Sequence, residues 1–208
     1  VSSRIQIASA FPASSFCCIP AKLSVEYQHM EYYLLEICGL KRNLPIVYLG
    51  PKLRIASLSL LGDVELVEKA AKALLDLFKD VKFDYLVGPE VKVVPLLHTM
   101  SRILGQKNYI VCRKAIKGYM ISPVTLQSAN LITKFKSLVI DGADRDLISG
   151  KRVVVVDDVV TTGNTLNTVE DLMKKAGATV VGVCSILKQG ETIVKNLKYL
   201  RTLPVFKG

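Results

Sequence analysis

The residues best suited to chemistry lie in one short run, residues 152–165 (RVVVVDDVVTTGNT). Asp157 and Asp158 follow four consecutive valines, and their carboxylates can accept hydrogen bonds from hydroxyl groups or hold a metal ion. The next segment, residues 161–165, offers hydroxyls and backbone N–H groups, which bind anions at the start of a helix. A ligand with a phosphate at one end and a diol beside it, such as a ribose 5-phosphate, matches this pattern.

The segments around these residues predict how they are held. The β-branched run before the carboxylates is typical of a strand buried on both faces of a parallel sheet. An amphipathic helix is predicted after the turn and ends at Gly177, with its apolar side formed by Leu166, Val169, Leu172 and Met173. Ligands of open α/β sheets bind beyond the carboxyl ends of the strands, so the turn is predicted to face the site. The glycine spacing of a dinucleotide fingerprint and the Gly-Lys-Ser/Thr of a P-loop do not occur in the sequence.

Strand-like and helix-like segments alternate along the rest of the chain. Further strands are predicted at residues 44–48, 53–58, 83–88, 109–113, 137–141, 179–187 and 199–206, and further helices at residues 63–78 and 95–104. Gly50 and Pro51 indicate a hairpin between the first two strands, and residues 142–150 are predicted to be a polar loop. This alternation predicts an α/β fold with a mostly parallel sheet and right-handed crossovers.

Residues 153–165 resemble the phosphoribosyl pyrophosphate (PRPP) signature of type I phosphoribosyltransferases. The resemblance covers about residues 31–206 and is strongest to adenine phosphoribosyltransferase-like proteins of bacteria and archaea. It implies a central, mostly parallel sheet flanked by helices, with a flexible lid hairpin and a small hood. It also implies a pentosyltransferase of purine salvage that transfers the 5-phosphoribosyl group from PRPP to a purine base. Pyrophosphate and a nucleoside monophosphate would be the products, and a homodimer the expected assembly.

The resemblance also implies roles for individual residues. Asp157 and Asp158 are expected to hold the ribose hydroxyls and, indirectly, the cofactor Mg²⁺. The 5-phosphate is expected to lie against Thr161, Thr162, Gly163, Asn164 and Thr165. The pyrophosphate is expected to contact Glu90, Val91, Lys92, Arg113 and Lys114. The expected catalytic set is Asp157, Asp158, Arg113 and Lys114. Lys117 and Tyr119 are expected to begin the lid, over residues 117–136, and Val159 and Lys188 to contact the base.

The identity of the base stays open, because the cues conflict. Many 6-oxopurine enzymes carry an aspartate at the position of Thr161, so its absence favours adenine. Lys188, however, lies where 6-oxopurine enzymes place a lysine, and residues 114–136 lack the lid carboxylate common in adenine enzymes. Adenine is favoured narrowly over hypoxanthine, guanine or xanthine. A pyrimidine enzyme using uracil or orotate, and a non-catalytic PRPP-binding regulator, are further alternatives, whereas a PRPP synthetase-like subunit is disfavoured by the length of 208 residues.

The composition of the chain limits the classes of molecule that it is expected to bind. The length suits one α/β domain, and the net charge of +10 favours polyanionic ligands. The 28 Lys and Arg residues are scattered, which argues against nucleic acid as the partner. No apolar run reaches the roughly 18 residues of a membrane span. The five cysteines form no C-x-x-C pair, a pattern typical of a reduced, cytoplasmic protein, and Cys112 and Cys184 are predicted to be buried in strands.

The amino-terminal segment differs from the rest of the chain. Residues 1–29 are rich in Ser, Ala, Pro and Cys and show weak periodicity. They are predicted to be an extension, either disordered or not native and upstream of a natural start at Met30. The phosphoribosyltransferase domain is predicted to span residues 30–208.

Overall fold

The computed structural model of the protein describes residues 31–48, 53–127 and 137–207. The strands in these ranges are β1 (Tyr32–Ile37), β2 (Leu40–Tyr48), β3 (Leu53–Ala56), β4 (Tyr85–Pro89), β5 (Ile110–Cys112), β6 (Val124–Gln127), β7 (Ser137–Ile140), β8 (Arg152–Val160), β9 (Thr179–Gln189), β10 (Leu197–Leu203) and β11 (Val205–Lys207). The helices are α1 (Val64–Asp76), α2 (Val94–Ile103), α3 (Gly142–Ile148) and α4 (Asn164–Lys175). The predicted extension at residues 1–29 and the distal part of the predicted lid, residues 128–136, lie outside the described ranges.

The central sheet has five parallel strands in the order β10-β9-β8-β4-β5. From β4 the chain proceeds to β5 at one edge of the sheet. From β8 it proceeds through β9 to β10 at the other edge. The strand order therefore reverses between β4 and β8, which makes this the topological switch point of the sheet. The sequence-based prediction of a mostly parallel α/β sheet is confirmed.

Strand β8 lies at the centre of this sheet and is buried on both faces, as its valine run predicts. Val154 and Val156 pack in the core beside α1, α2 and the strands β1 to β3. Val153 and Val155 pack in a second core with α4 and the β6–β7 pair. All four valines are fully buried. Because both faces are packed, the end of β8 is held rigidly where Asp157 and Asp158 follow.

A second, antiparallel sheet has the order β1-β2-β3-β11 and supplies the small hood. Its β2–β3 pair confirms the predicted hairpin, although the connecting residues 49–52 are not described. Strand β1 was not predicted, because its sequence YYLLEI does not alternate strictly between apolar and polar residues. Leu35 and Ile37 of β1 are nevertheless buried in the core, which tertiary packing decides.

Helix α1 begins as the sequence predicts. Asp63 occupies the N-cap position, and its Oδ1 accepts a hydrogen bond from the backbone N–H of Leu66 at 3.1 Å. Arg42 of β2 donates to the same carboxylate at 2.7 Å and also pairs with Glu65 at 2.9 Å. This arrangement fixes the start of α1 against the hood sheet.

Two predicted segments require correction. Residues 142–150 are not a polar loop, since residues 142–148 form α3. This helix is short and buries only Gly142 and Ile148, so it has no periodic apolar stripe for a sequence to reveal. The predicted strand 199–206 is two strands in different sheets, because Pro204 lies at the boundary and cannot donate a ladder hydrogen bond.

Residues 124–127 and 137–140 pair as the antiparallel strands β6 and β7, which agrees with the predicted lid hairpin.

Cys112 and Cys184 are fully buried in β5 and β9, as predicted, and burial raises the pKa of both thiols. Within the described part of the chain, no helix has both the length and the apolar character that a membrane crossing requires.

Candidate active site

The loops that follow β4 and β8 meet at the switch point and enclose a cavity of about 390 Å³. Its walls come from both loops and from the end of β5, and consist of Pro89, Glu90, Val91, Lys92, Val93, Lys114, Asp157, Asp158, Val159 and Thr165. A smaller cavity of about 40 Å³ adjoins it and is lined by Thr161, Thr162, Gly163, Asn164 and Leu166. Asp157, Val159 and Thr165 line both cavities, so the two are parts of one depression.

The two carboxylates at the end of β8 have different surroundings. Asp157 is 8 % exposed, whereas Asp158 is only partly buried. Burial raises the pKa of Asp157, the neighbouring Asp158 carboxylate raises it further, and Lys114 opposes the rise. One oxygen of each carboxylate accepts a backbone hydrogen bond at 2.9 Å, from Asp158 N–H to Asp157 and from Val159 N–H to Asp158.

The start of α4 carries no cap of its own. Gly163 occupies the N-cap position with φ +92°, no side chain caps the helix, and the first turn contains no acidic residue. The Thr162 hydroxyl accepts from the N–H of Asn164 at a long 3.5 Å. The first N–H groups of α4 and the positive end of its dipole therefore face the small cavity, where they favour an anion.

Packing makes glycine necessary at position 163. A Cβ atom there would lie 2.3 Å from Cγ2 of Val194 and 2.8 Å from the hydroxyl of Thr192. The same segment is fastened to the turn, because the N–H of Ile193 donates to the carbonyl of Thr162 at 3.1 Å. Residues 192–194 thus form the outer wall of the turn, a contribution that the sequence did not reveal.

The loop after β4 approaches β8 closely. A Cβ atom on Gly88 would lie 2.6 Å from the carbonyl oxygen of Val156, so glycine permits the close contact between the two strands. The peptide bond between Glu90 and Val91 is cis. The backbone amide of Glu90 donates to the carbonyl of Cys112 at 2.9 Å, which joins the loop to β5.

Glu90 is surrounded by the cations at the end of β5. One carboxylate oxygen accepts from the backbone N–H of Lys114 at 2.9 Å, and the other lies 3.5 Å from the Arg113 guanidinium. Glu90 therefore orients this end of β5 and offsets part of the positive charge of Arg113 and Lys114. The sequence of this loop, Glu-Val-Lys, does not indicate such a role.

The Lys92 ammonium donates to the carbonyl of Leu58 at 3.1 Å, and its two other N–H groups are available to a ligand.

The remaining predicted residues are distributed as follows. Val159 lines the large cavity, as does Lys114. Lys188 lines neither cavity, and its ammonium lies 5.8 Å from the ring centroid of Tyr199. Lys117 and Tyr119 lie in the loop between β5 and β6, where Tyr119 is 64 % exposed. His98, the histidine of α2, is exposed and contacts the Tyr109 ring edge-on with 6.1 Å between the ring centroids.

The fold and the depression together define a doubly wound α/β protein with an anion-binding turn and two carboxylates at its switch point. A family model for the phosphoribosyl transferase domain matches residues 61–205. The chain belongs to this family.

Named relatives agree with this assignment. Orotate phosphoribosyltransferase of Pyrobaculum calidifontis is 30 % identical over 146 residues, which are 70 % of this chain and 66 % of that protein. Adenine phosphoribosyltransferase of Treponema denticola is 28 % identical over 136 residues, 64 % of this chain and 66 % of that protein. In both cases the match spans just under two thirds of the relative's length.

The fold is also found in a solved structure. The crystal structure of adenine phosphoribosyltransferase from Thermoanaerobacter pseudethanolicus superposes with a TM-score of 0.57 at 20 % identity, covering 69 % of this chain and 84 % of that one. At this level of identity the match establishes the shared fold.

Proposed function

We propose that this protein is a phosphoribosyltransferase that transfers the 5-phosphoribosyl group from PRPP to a purine base, with adenine favoured, and releases pyrophosphate. One observation carries the proposal: a single depression at the switch point joins the uncapped start of α4, the Asp157–Asp158 pair and the cations Lys92 and Lys114. PRPP carries a phosphate, a diol and a pyrophosphate in the same order.

The 5-phosphate is assigned to residues 161–165. The N–H groups at the start of α4 would donate to its oxygens, and the helix dipole favours its charge. The hydroxyls of Thr161, Thr162 and Thr165 would supply further donors, and the side chain of Asn164 another. Gly163 would contribute through its backbone, because its positive φ sets the direction of the turn and glycine adds no side chain.

Asp157 and Asp158 are assigned to the ribose hydroxyls. Each keeps one oxygen fixed by a backbone N–H, so the other can accept a hydroxyl hydrogen with little loss of side-chain entropy. Donation from a ribose hydroxyl to Asp157 would favour its ionised form, which burial disfavours. Ribose binding and ionisation of Asp157 would therefore support each other.

The carboxylate pair is compatible with Mg²⁺. Within the described residues no group of three or more His, Cys, Asp or Glu side chains could hold a metal ion. Mg²⁺ commonly takes one or two carboxylates and completes its shell with water and substrate phosphates, so an all-protein cage is not required. Asp157 and Asp158 would hold it indirectly, through the ribose hydroxyls or water. When bound, the ion neutralises charge on the departing pyrophosphate.

The pyrophosphate is assigned to the loop after β4 and the end of β5. Lys92 and Lys114 line the cavity from opposite loops and would stabilise the charge that develops on the leaving group. Glu90 and Val91 would contribute backbone groups. Arg113 lies 3.5 Å from Glu90, so a bound pyrophosphate would compete with this carboxylate for the guanidinium. No covalent nucleophile is required, because the mechanism rests on positioning and electrostatics.

Two observations bear on the base. Val159 lines the cavity, whereas Lys188 lies against Tyr199 and does not line it. This geometry supports adenine over a 6-oxopurine, because the exocyclic oxygen of a 6-oxopurine would require a donor such as Lys188. Orotate is the second candidate, since the orotate enzyme of P. calidifontis is 30 % identical over 70 % of the chain. The homodimer stays a prediction from the family resemblance.

The direct test supplies PRPP and Mg²⁺ with adenine, hypoxanthine, guanine, xanthine, uracil or orotate in separate reactions, and measures nucleotide by chromatography. Adenine is expected to react best. Lys188→Met should leave an adenine reaction unchanged and impair a 6-oxopurine reaction. If PRPP binds and no base reacts, the catalytic proposal is wrong and a PRPP-binding regulator becomes the better explanation.

The carboxylate pair provides the residue-level test. Asp157→Asn and Asp158→Asn should each lower kcat/KM by about 100-fold or more, since each removes a charged acceptor from the reacting sugar. Asp171→Asn is the matched control, because Asp171 lies on the exposed face of α4 and, in the described part of the chain, pairs with Lys174 at 3.0 Å. Equal activity of all three variants would contradict the assignment.

A further inference from the structure

The loop that joins β5 to β6 carries residues of the candidate site. Lys114 at its start lines the large cavity, and Lys117 and Tyr119 follow. Most of the loop is exposed, with Ile116, Tyr119 and Ile121 at 60 %, 64 % and 76 % exposure. Burial of its own side chains therefore does little to fix this loop, and its position must depend on contacts at its two ends.

Both ends of the loop are fastened to one stretch of chain, residues 139–142. At the first end, Arg113 and Val139 exchange backbone hydrogen bonds of 2.8 Å in each direction. At the second end, the N–H of Ile121 donates to Oδ1 of Asp141 at 3.0 Å, and the N–H of Gly142 donates to the carbonyl of Ile121 at 3.1 Å. Four hydrogen bonds thus close the loop at its base.

The side chain of Asp141 is directed to the loop and not to its own helix. Asp141 occupies the N-cap position of α3, where an aspartate usually accepts from the first backbone N–H groups of the helix. It makes no such bond here. Asp144 in the first turn contributes instead, because its carboxylate accepts from the backbone of Asp141, a bond that lowers the pKa of Asp144 against the larger rise caused by burial. The Asp141 carboxylate is therefore available to Ile121.

Gly142 permits the close approach of the loop. A Cβ atom at this position would lie 2.4 Å from the carbonyl oxygen of Ile121 and 3.0 Å from that of Ser122. Both contacts are with backbone, so a side chain here would displace the second end of the loop.

We propose that Asp141 and Gly142 are positioning residues that hold the loop of residues 113–121, and with it Lys114, in place against the cavity. The inference rests on the proposed function and adds two residues to it that contact no ligand themselves. Loss of the Asp141 contact removes one of the two hydrogen bonds at the second end of the loop, so the loop and Lys114 are less well preorganised and PRPP binds more weakly.

The test compares Asp141→Ala with Asp141→Asn in the full-length protein. The asparagine retains an acceptor oxygen for the N–H of Ile121, whereas alanine removes it. Asp146→Ala is the control, because Asp146 lies on the same helix and its carboxylate pairs with the neighbouring Arg145, away from the loop. Two quantities are measured: hydrogen exchange of residues 115–121 in the ligand-free protein, and the affinity for PRPP with Mg²⁺ by calorimetry.

For Asp141→Ala we expect faster exchange in the loop and an affinity for PRPP about 10-fold lower, the effect of losing one hydrogen bond to a charged acceptor. Asp141→Asn and Asp146→Ala should stay within about 2-fold of the unmodified protein, and the KM for the base should not change in any variant. Unchanged exchange and affinity in Asp141→Ala would overturn the inference. So would an equal loss in Asp141→Asn, which would indicate that the charge matters and not the contact with Ile121.

These measurements separate the inference from the proposed function. Hydrogen exchange and PRPP affinity do not depend on turnover. If no base is converted while PRPP binding still distinguishes alanine from asparagine, the proposed catalysis fails and the positioning role stands. If nucleotide forms normally in all variants and PRPP binding does not change, the positioning role fails and the proposed function stands.

Discussion

Two helices of this protein begin in opposite ways. Helix α1 is capped by Asp63, has Glu65 in its first turn, and has the guanidinium of Arg42 beside both carboxylates. Helix α4 begins at Gly163, with no capping side chain and no acidic residue in its first turn. Arg42 lowers the pKa of Asp63, whereas burial raises the pKa of Asp157, just before α4.

The start of α1 is built for stability, whereas the start of α4 has the features of a ligand site. At α1 the backbone donors and the charges find their partners within the protein, so the junction contributes to stability. At α4 no side chain of the N-cap residue bonds the first backbone N–H groups, so an anionic ligand with hydroxyl groups would complete the site. A helix start that is left uncapped beside a buried carboxylate is therefore a sign of a ligand site, and four predictions test this contrast.

The largest effect is expected for Gly163→Ala. The substitution forces a residue with a Cβ atom into φ +92° and against Val194. Left-handed strain of about 1–2 kcal/mol and overpacking of about 1–3 kcal/mol together predict a stability loss of about 2–5 kcal/mol, with weaker binding of PRPP. Denaturant unfolding and PRPP titration measure both.

Gly150→Ala is the matched control, since Gly150 has φ +70° but open space around its Cβ position. Gly150→Ala should lower the free energy of unfolding only by the left-handed strain, about 1 kcal/mol, and should leave PRPP binding unchanged. Equal effects at the two glycines would show that the turn before α4 is not specially packed.

The next effect is expected for Asn164→Asp, which places a negative charge in the first turn of α4 with almost no change in shape. It would repel the 5-phosphate, and we expect the KM for PRPP to rise about 10-fold. Val64→Asp adds the same charge at the first position of α1, where Val64 is 74 % exposed, and should leave the KM unchanged. A rise in both variants would point to the net charge of the protein as the cause.

A smaller effect is expected for Asp63→Ala. Loss of the N-cap should lower the free energy of unfolding by about 1 kcal/mol, with kcat and KM unchanged. Asp63→Asn should recover most of this loss, because asparagine caps as well as aspartate does. A kinetic defect in the alanine variant would contradict a purely structural role for this junction.

The smallest effect is a difference in pH dependence. The folded-state pKa of Asp63 lies below its ordinary value of 3.8, so its ionic contribution to stability is present above that pH and is lost as the pH falls through the folded-state pKa. The stability difference between the unmodified protein and Asp63→Asn should thus be a few tenths of a kcal/mol at pH 7 and vanish in acid.

Asp157 should show the opposite sign. Its folded-state pKa lies above 3.8, so the free energy of unfolding falls as the pH rises from that value toward the folded-state pKa. Asp157→Asn should therefore gain stability relative to the unmodified protein between pH 4 and pH 7 while losing activity. Unfolding curves across this range would refute the contrast if both aspartates gave the same sign.

Much of the central sheet and of the turn before α4, residues 161–165, could be predicted from the sequence. The valines of β8, the apolar stripes of α1 and α4, and the cap at Asp63 are local signals, because each follows from the period or the residue type of a short segment. The order of the carboxylates, the hydroxyls and Gly163 is also local, so the sequence is enough to identify the turn. Helix α3 and strand β1 were missed because their identity depends on packing against distant segments.

Side-chain partners within the site were beyond sequence reasoning for the same reason. The contacts of Glu90 with Arg113 and Lys114 span 23 and 24 residues, and the contact of Asp141 with Ile121 spans 20. Lys188 was predicted to contact the base, a role that stays a prediction, and its neighbour Tyr199 lies on the adjacent strand. Sequence spacing carries no information about which of several lysines reaches a given cavity.

The sequence by itself determined the family signature, the class of the fold and the chemical types of the site residues, because these depend on local periodicity and on the order of residues in one turn. The tertiary structure alone decided which loops meet at the switch point, which carboxylate is buried, and which residues hold the cations in place. Those properties depend on the register of parallel strands that are distant in the chain, and no short stretch of sequence specifies that register.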